Sequence, residues 1–99
     1  MQIQIEVLPW LSELLSGSIS RKVVMQETLP DGVSLRFLLG SLQERQSRFG
    51  RMVFDSERQR LTGHAEIIVN GDLCEQLGGL DSPLHEGDTV TFLPGLAGG

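Results

Sequence analysis

Thr89-Val90-Thr91-Phe92-Leu93-Pro94, with Gly95-Leu96-Ala97-Gly98-Gly99 directly behind it, is the stretch on which the fold turns. Thr89 to Phe92 alternate polar and apolar, the mark of a strand buried on one face, and the predicted strand covers 88–93. The five residues behind Pro94 carry no charge and no aromatic ring and end in a glycine pair, so they read as a flexible tail over 95–99 behind a domain over 1–94. Working backward, Glu66-Ile67-Ile68-Val69 is a β-branched run suited to a central strand, stopped by an Asn70-Gly71 turn. The residues between, Gly78 to Asp88, are rich in turn formers.

The N-terminal third supplies partners for these strands. Ile3, Ile5 and Val7 recur every second residue, predicting a strand near 2–8 that ends before Pro9. Trp10 to Gly17 form either a helical turn or a wide hairpin loop, with Trp10/Leu14 and Leu11/Leu15 at helical spacing. Val23-Val24-Met25 and Thr28 favour a strand over 21–29, closed by Pro30-Asp31-Gly32. Leu35, Leu38, Leu39 and Leu42 fall at i, i+3, i+4 and i+7, predicting a helix over 34–46 with Ser34 as its cap. Gly40 costs that helix about 1 kcal/mol relative to Ala. Phe49 to His64 reads as a loop or short strand around the polar run Asp55-Ser56-Glu57-Arg58-Gln59-Arg60. One amphipathic helix laid across one face of a mixed sheet satisfies this order, an α+β arrangement of four to five strands.

Composition narrows the function. Ninety-nine residues with 39% apolar content support one modest core. The start, Met1-Gln2-Ile3-Gln4-Ile5-Glu6-Val7, has neither the basic opening nor the long apolar run of a signal peptide or anchor, so a cytoplasmic protein without membrane contact is expected. Net charge is −5 and the eight basic residues are scattered, which argues against nucleic acid and suits a basic protein partner. The lone Cys74 forms no internal disulfide, and neither it nor His64 and His85 has metal-ligand spacing, so no bound metal or cofactor is expected. Four-thiolate iron–sulfur chemistry is excluded by count. Acidic neighbours in Asp72-Leu73-Cys74-Glu75 disfavour a nucleophilic thiolate. Gly78-Gly79 lacks the strand–loop–helix setting of a phosphate-binding loop.

Gly98-Gly99 offers a different chemistry. A backbone without Cβ atoms passes close to the walls of a narrow cleft, and the α-carboxylate is then the reactive group. An ionised carboxylate is a poor electrophile and needs activation, most simply to an acyl-adenylate, by an enzyme that supplies ATP and Mg²⁺. Two glycines alone also fit a frayed chain end.

Read together, Val69-Asn70-Gly71, Leu80-Asp81-Ser82-Pro83-Leu84, Glu86-Gly87-Asp88-Thr89-Val90 and Phe92-Leu93-Pro94 with Ala97-Gly98-Gly99 resemble the MoaD/ThiS family of sulfur carriers. Its members typically read VNG, then L-x-D/E-G-D-x-V, then F-x-P-P-x-A-G-G. The resemblance implies a ubiquitin-like β-grasp fold with the first and last strands side by side. It implies a carrier rather than an enzyme, whose Gly99 is adenylated by a ubiquitin-activating-like adenylyltransferase and converted to a thiocarboxylate with sulfur from a persulfide enzyme or another donor. Ala97 and Gly98 would thread the partner's cleft, and Phe92, Leu93 and Pro94 would lie on the docking face, Phe92 being equally readable as core. The acceptor would be a molybdopterin or tungsten cofactor precursor, with a large synthase subunit as a further partner, and thiamine, tRNA or amino-acid thiolation are the other routes. Gly95 replaces a proline common in molybdopterin-type members, which predicts a looser tail root. Two other functions fit the same fold: a protein modifier joined to lysines through Gly99, and a binding module whose tail is never activated.

Overall fold

The computed structural model describes residues 1–12 and 21–95. In chain order these form β1 (Gln2–Val7), β2 (Val23–Thr28), α1 (Leu35–Arg45), α2 (Ser47–Val53), β3 (Phe54–Asp55), β4 (Arg60–Leu61), β5 (Ala65–Val69), β6 (Asp72–Leu73) and β7 (Thr89–Pro94). Two 3₁₀ turns, Cys74–Leu77 and Gly79–Asp81, bridge β6 to the segment before β7. Alternation in β1 puts Ile3, Ile5 and Val7 wholly inside. β2 pairs with it antiparallel and β7 parallel, with Ile5 facing Met25 on one side and Val90 on the other. β5 runs antiparallel to β7, aligning Ile67 with Phe92, and turns through Asn70 and Gly71 into β6. Both turn residues have positive φ, 52° and 92°, which the expected Asn-Gly pair tolerates. The sheet order is therefore β2-β1-β7-β5-β6, a mixed five-stranded sheet with first and last long strands adjacent in the middle.

α1 covers one face of this sheet with Leu35, Leu38, Leu39 and Leu42, all buried, as its spacing predicts. Ser34 occupies the cap position, but its hydroxyl makes no cap hydrogen bond. The helix start is held instead by backbone: the Leu35 N–H donates to the Ser82 carbonyl (2.9 Å) and the Leu84 N–H to the Val33 carbonyl (3.1 Å). A tertiary pairing thus replaces the expected local cap.

The reading of Phe49 to His64 as a loop or short strand is corrected in its first part. Ser47–Val53 is a helix that buries Phe49 and Val53 at i, i+4 spacing. Gly50 permits it, because a Cβ there would collide with the Gln43 backbone on α1. The polar run behind this helix closes the β3–β4 hairpin, where Asp55 Oδ1 accepts the N–H groups of Glu57 and Arg58, each at 3.1 Å. Of the expected turn or loop at Trp10 to Gly17, residues 13–17 lie outside the described residues. The rest is a turn in which the Ser12 N–H donates to the Leu8 carbonyl. Among the described residues no helix is long and apolar enough to cross a membrane.

Candidate functional site

β7 delivers the chain toward residues 96–99, so the site is built from whatever fixes β7 and its end. Neighbours on both sides hold the strand. The Leu8 N–H donates to the Phe92 carbonyl (2.9 Å), and Pro94 lies in register with Ala65. Beyond the strand, the Gly95 N–H donates to the His64 carbonyl at 2.9 Å. A Cβ on Gly95 would meet the Gly63 carbonyl oxygen at 2.5 Å and Ala65 N at 3.1 Å. The looser root expected from the missing proline is therefore corrected: glycine lets this residue close against Gly63-His64-Ala65 and keeps an N–H that proline lacks. Position and direction of the exit are fixed up to Gly95.

At its start β7 is held by a polar clamp. Asn70 Oδ1 accepts the Thr89 N–H (2.9 Å), and Asn70 Nδ2 donates to Asp88 Oδ1 (2.8 Å). Asp88 Oδ2 in turn accepts the His85 N–H (2.8 Å), so a largely buried carboxylate is satisfied on both oxygens. Both ends of the clamp lie within motifs visible in the sequence. Their joining across the β5–β7 pair was missed, since nothing local links residues 70 and 88.

Alternation along β7 sorts the residues expected to dock. Val90 and Phe92 are fully buried, whereas Leu93 is half-buried on the outer face and Pro94 is exposed. Phe92 is thus corrected from docking face to core: its ring meets Phe49 edge-on, centroids 5.1 Å apart and planes at 75°. On the outer face, Leu93 is aligned with Glu66, and Thr91 with Glu6 and Ile68. Ile68 is also aligned with Leu73, which is exposed. Ala97, Gly98 and Gly99 lie outside the described residues.

The other reactive groups stand apart. His64 and His85 are not buried, and among the described residues no group of three or more His, Cys, Asp or Glu side chains could hold a metal ion. Cys74 is completely buried, and this burial, with Glu75 and Glu66 nearby, pushes its thiol up from 9.0 to about 11. The folded chain should therefore resist alkylation by iodoacetamide at neutral pH and react fully in denaturant, as mass spectrometry would show. The pH dependence has a definite sign. Because the folded state disfavours the thiolate, the unfolded state loses its proton first, and stability falls as pH rises from 9 to about 11. The whole loss is about 2–3 kcal/mol by the usual conversion of a pKa difference, and Cys74→Ala should abolish it in urea melts across that range.

A family model described as the ThiS family matches residues 14–99. The chain belongs to the ThiS family. Solved structures share its β-grasp, ubiquitin-like fold across the whole chain. SAMP1 from Haloferax volcanii superposes with a TM-score of 0.74 at 18% identity, covering 100% of both chains. A protein assigned as molybdopterin converting factor, subunit 1, from Pyrococcus furiosus gives 0.70 at 22% identity, covering 97% of this ThiS-family chain and 99% of the other. A chain of the Amycolatopsis orientalis BexX/CysO complex gives 0.70 at 22% identity, covering 98% and 99%. No curated protein matches the sequence.

Proposed function

We propose that this chain is a sulfur carrier whose working group is the Gly99 carboxylate. The observation that carries the reading is a family match running through residue 99 on a fold that fixes the exit of the chain at Gly95. In the proposed cycle a ubiquitin-activating-like adenylyltransferase uses ATP and Mg²⁺ to join the carboxylate to AMP, releasing pyrophosphate. The terminal sulfur of a donor persulfide then displaces AMP to form an acyl disulfide. A second thiol attacks the donor's own sulfur and takes it into a disulfide, and the thiocarboxylate so released gives its sulfur to a biosynthetic enzyme. The carrier acts as co-substrate, not catalyst: residues 1–94 are recognised and aim the tail, while Ala97 and Gly98 thread the partner's cleft.

Leu93 and Pro94, with Ile68 and Leu73 beside them, form the proposed docking face on the open side of the sheet. A net charge of −5 favours a basic rim on the partner. A cytoplasmic location suits the dependence on ATP. The acceptor we favour is a molybdopterin or tungsten cofactor precursor held by a large synthase subunit, in keeping with the name carried by the Pyrococcus furiosus structure.

Intact mass is the test. The chain is incubated with ATP, Mg²⁺, a sulfur donor and the adenylating enzyme of the same organism. The expected result is a gain equal to the difference between one sulfur and one oxygen. An unchanged mass with a demonstrably active enzyme would overturn thiocarboxylation by that partner, and Gly99 in isopeptide linkage to other proteins in extracts would assign a modifier instead.

A further inference from the structure

The basic residues are spread along the sequence, yet the fold draws most of them to one side. Residues 45–60 carry five of the eight basic groups and two of the thirteen acids, a net of +3, which leaves −8 on the rest of the chain. They span the end of α1, all of α2 and the β3–β4 hairpin. α2 lies on the helix-bearing side of the sheet, since its Phe49 meets the inward ring of Phe92. The outer face carries Glu6 and Glu66 beside β7 instead.

Two of the five cations are engaged within the molecule: Arg45 pairs with the buried Glu27, and Arg58 with Asp55 at 3.0 Å. Among the described residues no carboxylate pairs with Arg48, Arg51 or Arg60, and all three are exposed. Arg48 and Arg51 are i, i+3 neighbours on α2, and the exposed Met52 lies one turn from Arg48. Arg60 stands on β4 in register with Asp55, and Asp55, Arg51 and Thr62 line one open cavity of about 290 Å³. The three arginines thus belong to a single surface. Hydrogen bonds tie it to the end of β7: Thr62 Oγ1 donates to the Met52 carbonyl (2.5 Å) and accepts the His64 N–H (3.2 Å), while the His64 carbonyl accepts the Gly95 N–H.

Exposed arginines around an exposed methionine are residue types enriched where proteins meet, and a guanidinium pairs with a carboxylate through two parallel bonds. A nucleic-acid backbone fits this surface less well. Asp55 and Glu57 stand in the wall of the same cavity, and an unbroken row of phosphates cannot avoid them. The rings of Phe49 and Phe54 are buried, so neither is offered for a base to stack on. A protein segment, by contrast, sets its acids opposite the arginines and a neutral residue opposite Asp55 and Glu57.

We infer that Arg48, Arg51 and Arg60, around Met52, form a docking surface for an acidic segment of a partner protein, separate from the outer sheet face and adjoining the end of β7. Aspartates and glutamates of that segment pair with the three guanidinium groups, and an apolar side chain covers Met52. Exposed ion pairs are individually weak, so the surface acts as a set and its binding falls with salt. A partner seated there leaves the outer face of the sheet free.

Amide NMR of the isotopically labelled full chain tests this, with a synthetic peptide of aspartates and glutamates around one leucine as probe. The peptide should shift the amides of α2 and of β4 through His64 and leave those of β1 and β2 in place. Affinity should fall at least about tenfold between about 50 and about 500 mM salt. Arg48→Glu combined with Arg51→Glu should lower it as much at constant low salt. Arg21→Glu combined with Lys22→Glu makes the same change in net charge next to the β2 edge and should leave affinity within about twofold. The spectra themselves report that each variant is folded. Absence of shifts, shifts spread over the whole surface, or equal losses in the two double variants would overturn the surface. Tighter binding of a single-stranded RNA of equal charge would overturn the acidic-protein partner in favour of nucleic acid, and α2 shifts that grow with protein concentration alone would do so in favour of a second copy. None of these results depends on whether Gly99 is activated.

Discussion

Removing Gly98 and Gly99 is expected to abolish thiocarboxylate formation completely while shifting the melting temperature by no more than about 4 °C, the effect of a surface change of about 0.5 kcal/mol. The asymmetry arises from which residues hold the described fold together. Among the described residues, the last strand pair is Ala65 with Pro94, the last fully buried side chain is Phe92, and the last backbone bond is from Gly95 to His64. Among the described residues the apolar core runs from Ile3 to Phe92. The chemistry, by contrast, is assigned wholly to the removed carboxylate. The shortened chain keeps its outer sheet face and should compete with the intact one for the adenylating enzyme, with an inhibition constant near the KM of the full chain. Intact mass and ATP–pyrophosphate exchange read the loss. Undiminished exchange with the shortened chain would move the activated group elsewhere, and failure to compete would place recognition in the tail instead of on the sheet.

The parts of this architecture that are legible in the sequence are those whose signal is local. Ile3, Ile5 and Val7, and the four leucines of α1, repeat at the period of their own element, and burial follows that period residue by residue. The same rule, applied strictly to β7, separates Val90 and Phe92 from Thr89, Thr91 and Leu93, and so gives the inward place of Phe92. The parallel pairing of β1 with β7 carries no periodic signal, because register between strands some eighty residues apart is a tertiary choice. α2 was hidden for another reason. Seven residues are too few to hold a helix alone, and Gly50 weakens the local preference further. It forms because Phe49 and Val53 reach the core and Gly50 allows α1 to approach. Gly95 is the same case in reverse: read locally it loosens the root, yet its neighbours across β5 leave room for no other side chain. At the candidate site the proposed reactive end is a matter of sequence, and the anchoring of the strand that leads to it is a matter of contacts between distant segments.

Phe92→Ala is the substitution expected to cost the fold most, about 3–5 kcal/mol, as for other fully buried aromatic residues. Stabilities of such domains are about 5–15 kcal/mol, so much of the total goes, and the melting temperature should fall by about 15–30 °C. The cost has two parts. A large cavity opens beneath the centre of the sheet, between Ile67 in register on β5 and Val7 in register on β1. The edge-on contact with Phe49 is also lost, worth about 0.5–1.5 kcal/mol beyond burial. A double-mutant cycle with Phe49→Ala in urea melts should return a coupling of that size. Activation kinetics measured well below the melting point of the variant then separate the two readings of Phe92. As core, it leaves KM for the adenylating enzyme within about threefold of the wild type, since about 1.4 kcal/mol is needed for a tenfold change and the outer face is preserved. Leu93→Asp should do the reverse, raising KM about tenfold or more by placing a charge on the half-buried face while the melting temperature moves little. A stable Phe92→Ala chain with a raised KM would return that ring to the interface, and would require β7 to twist in the complex so that its inner face meets the partner.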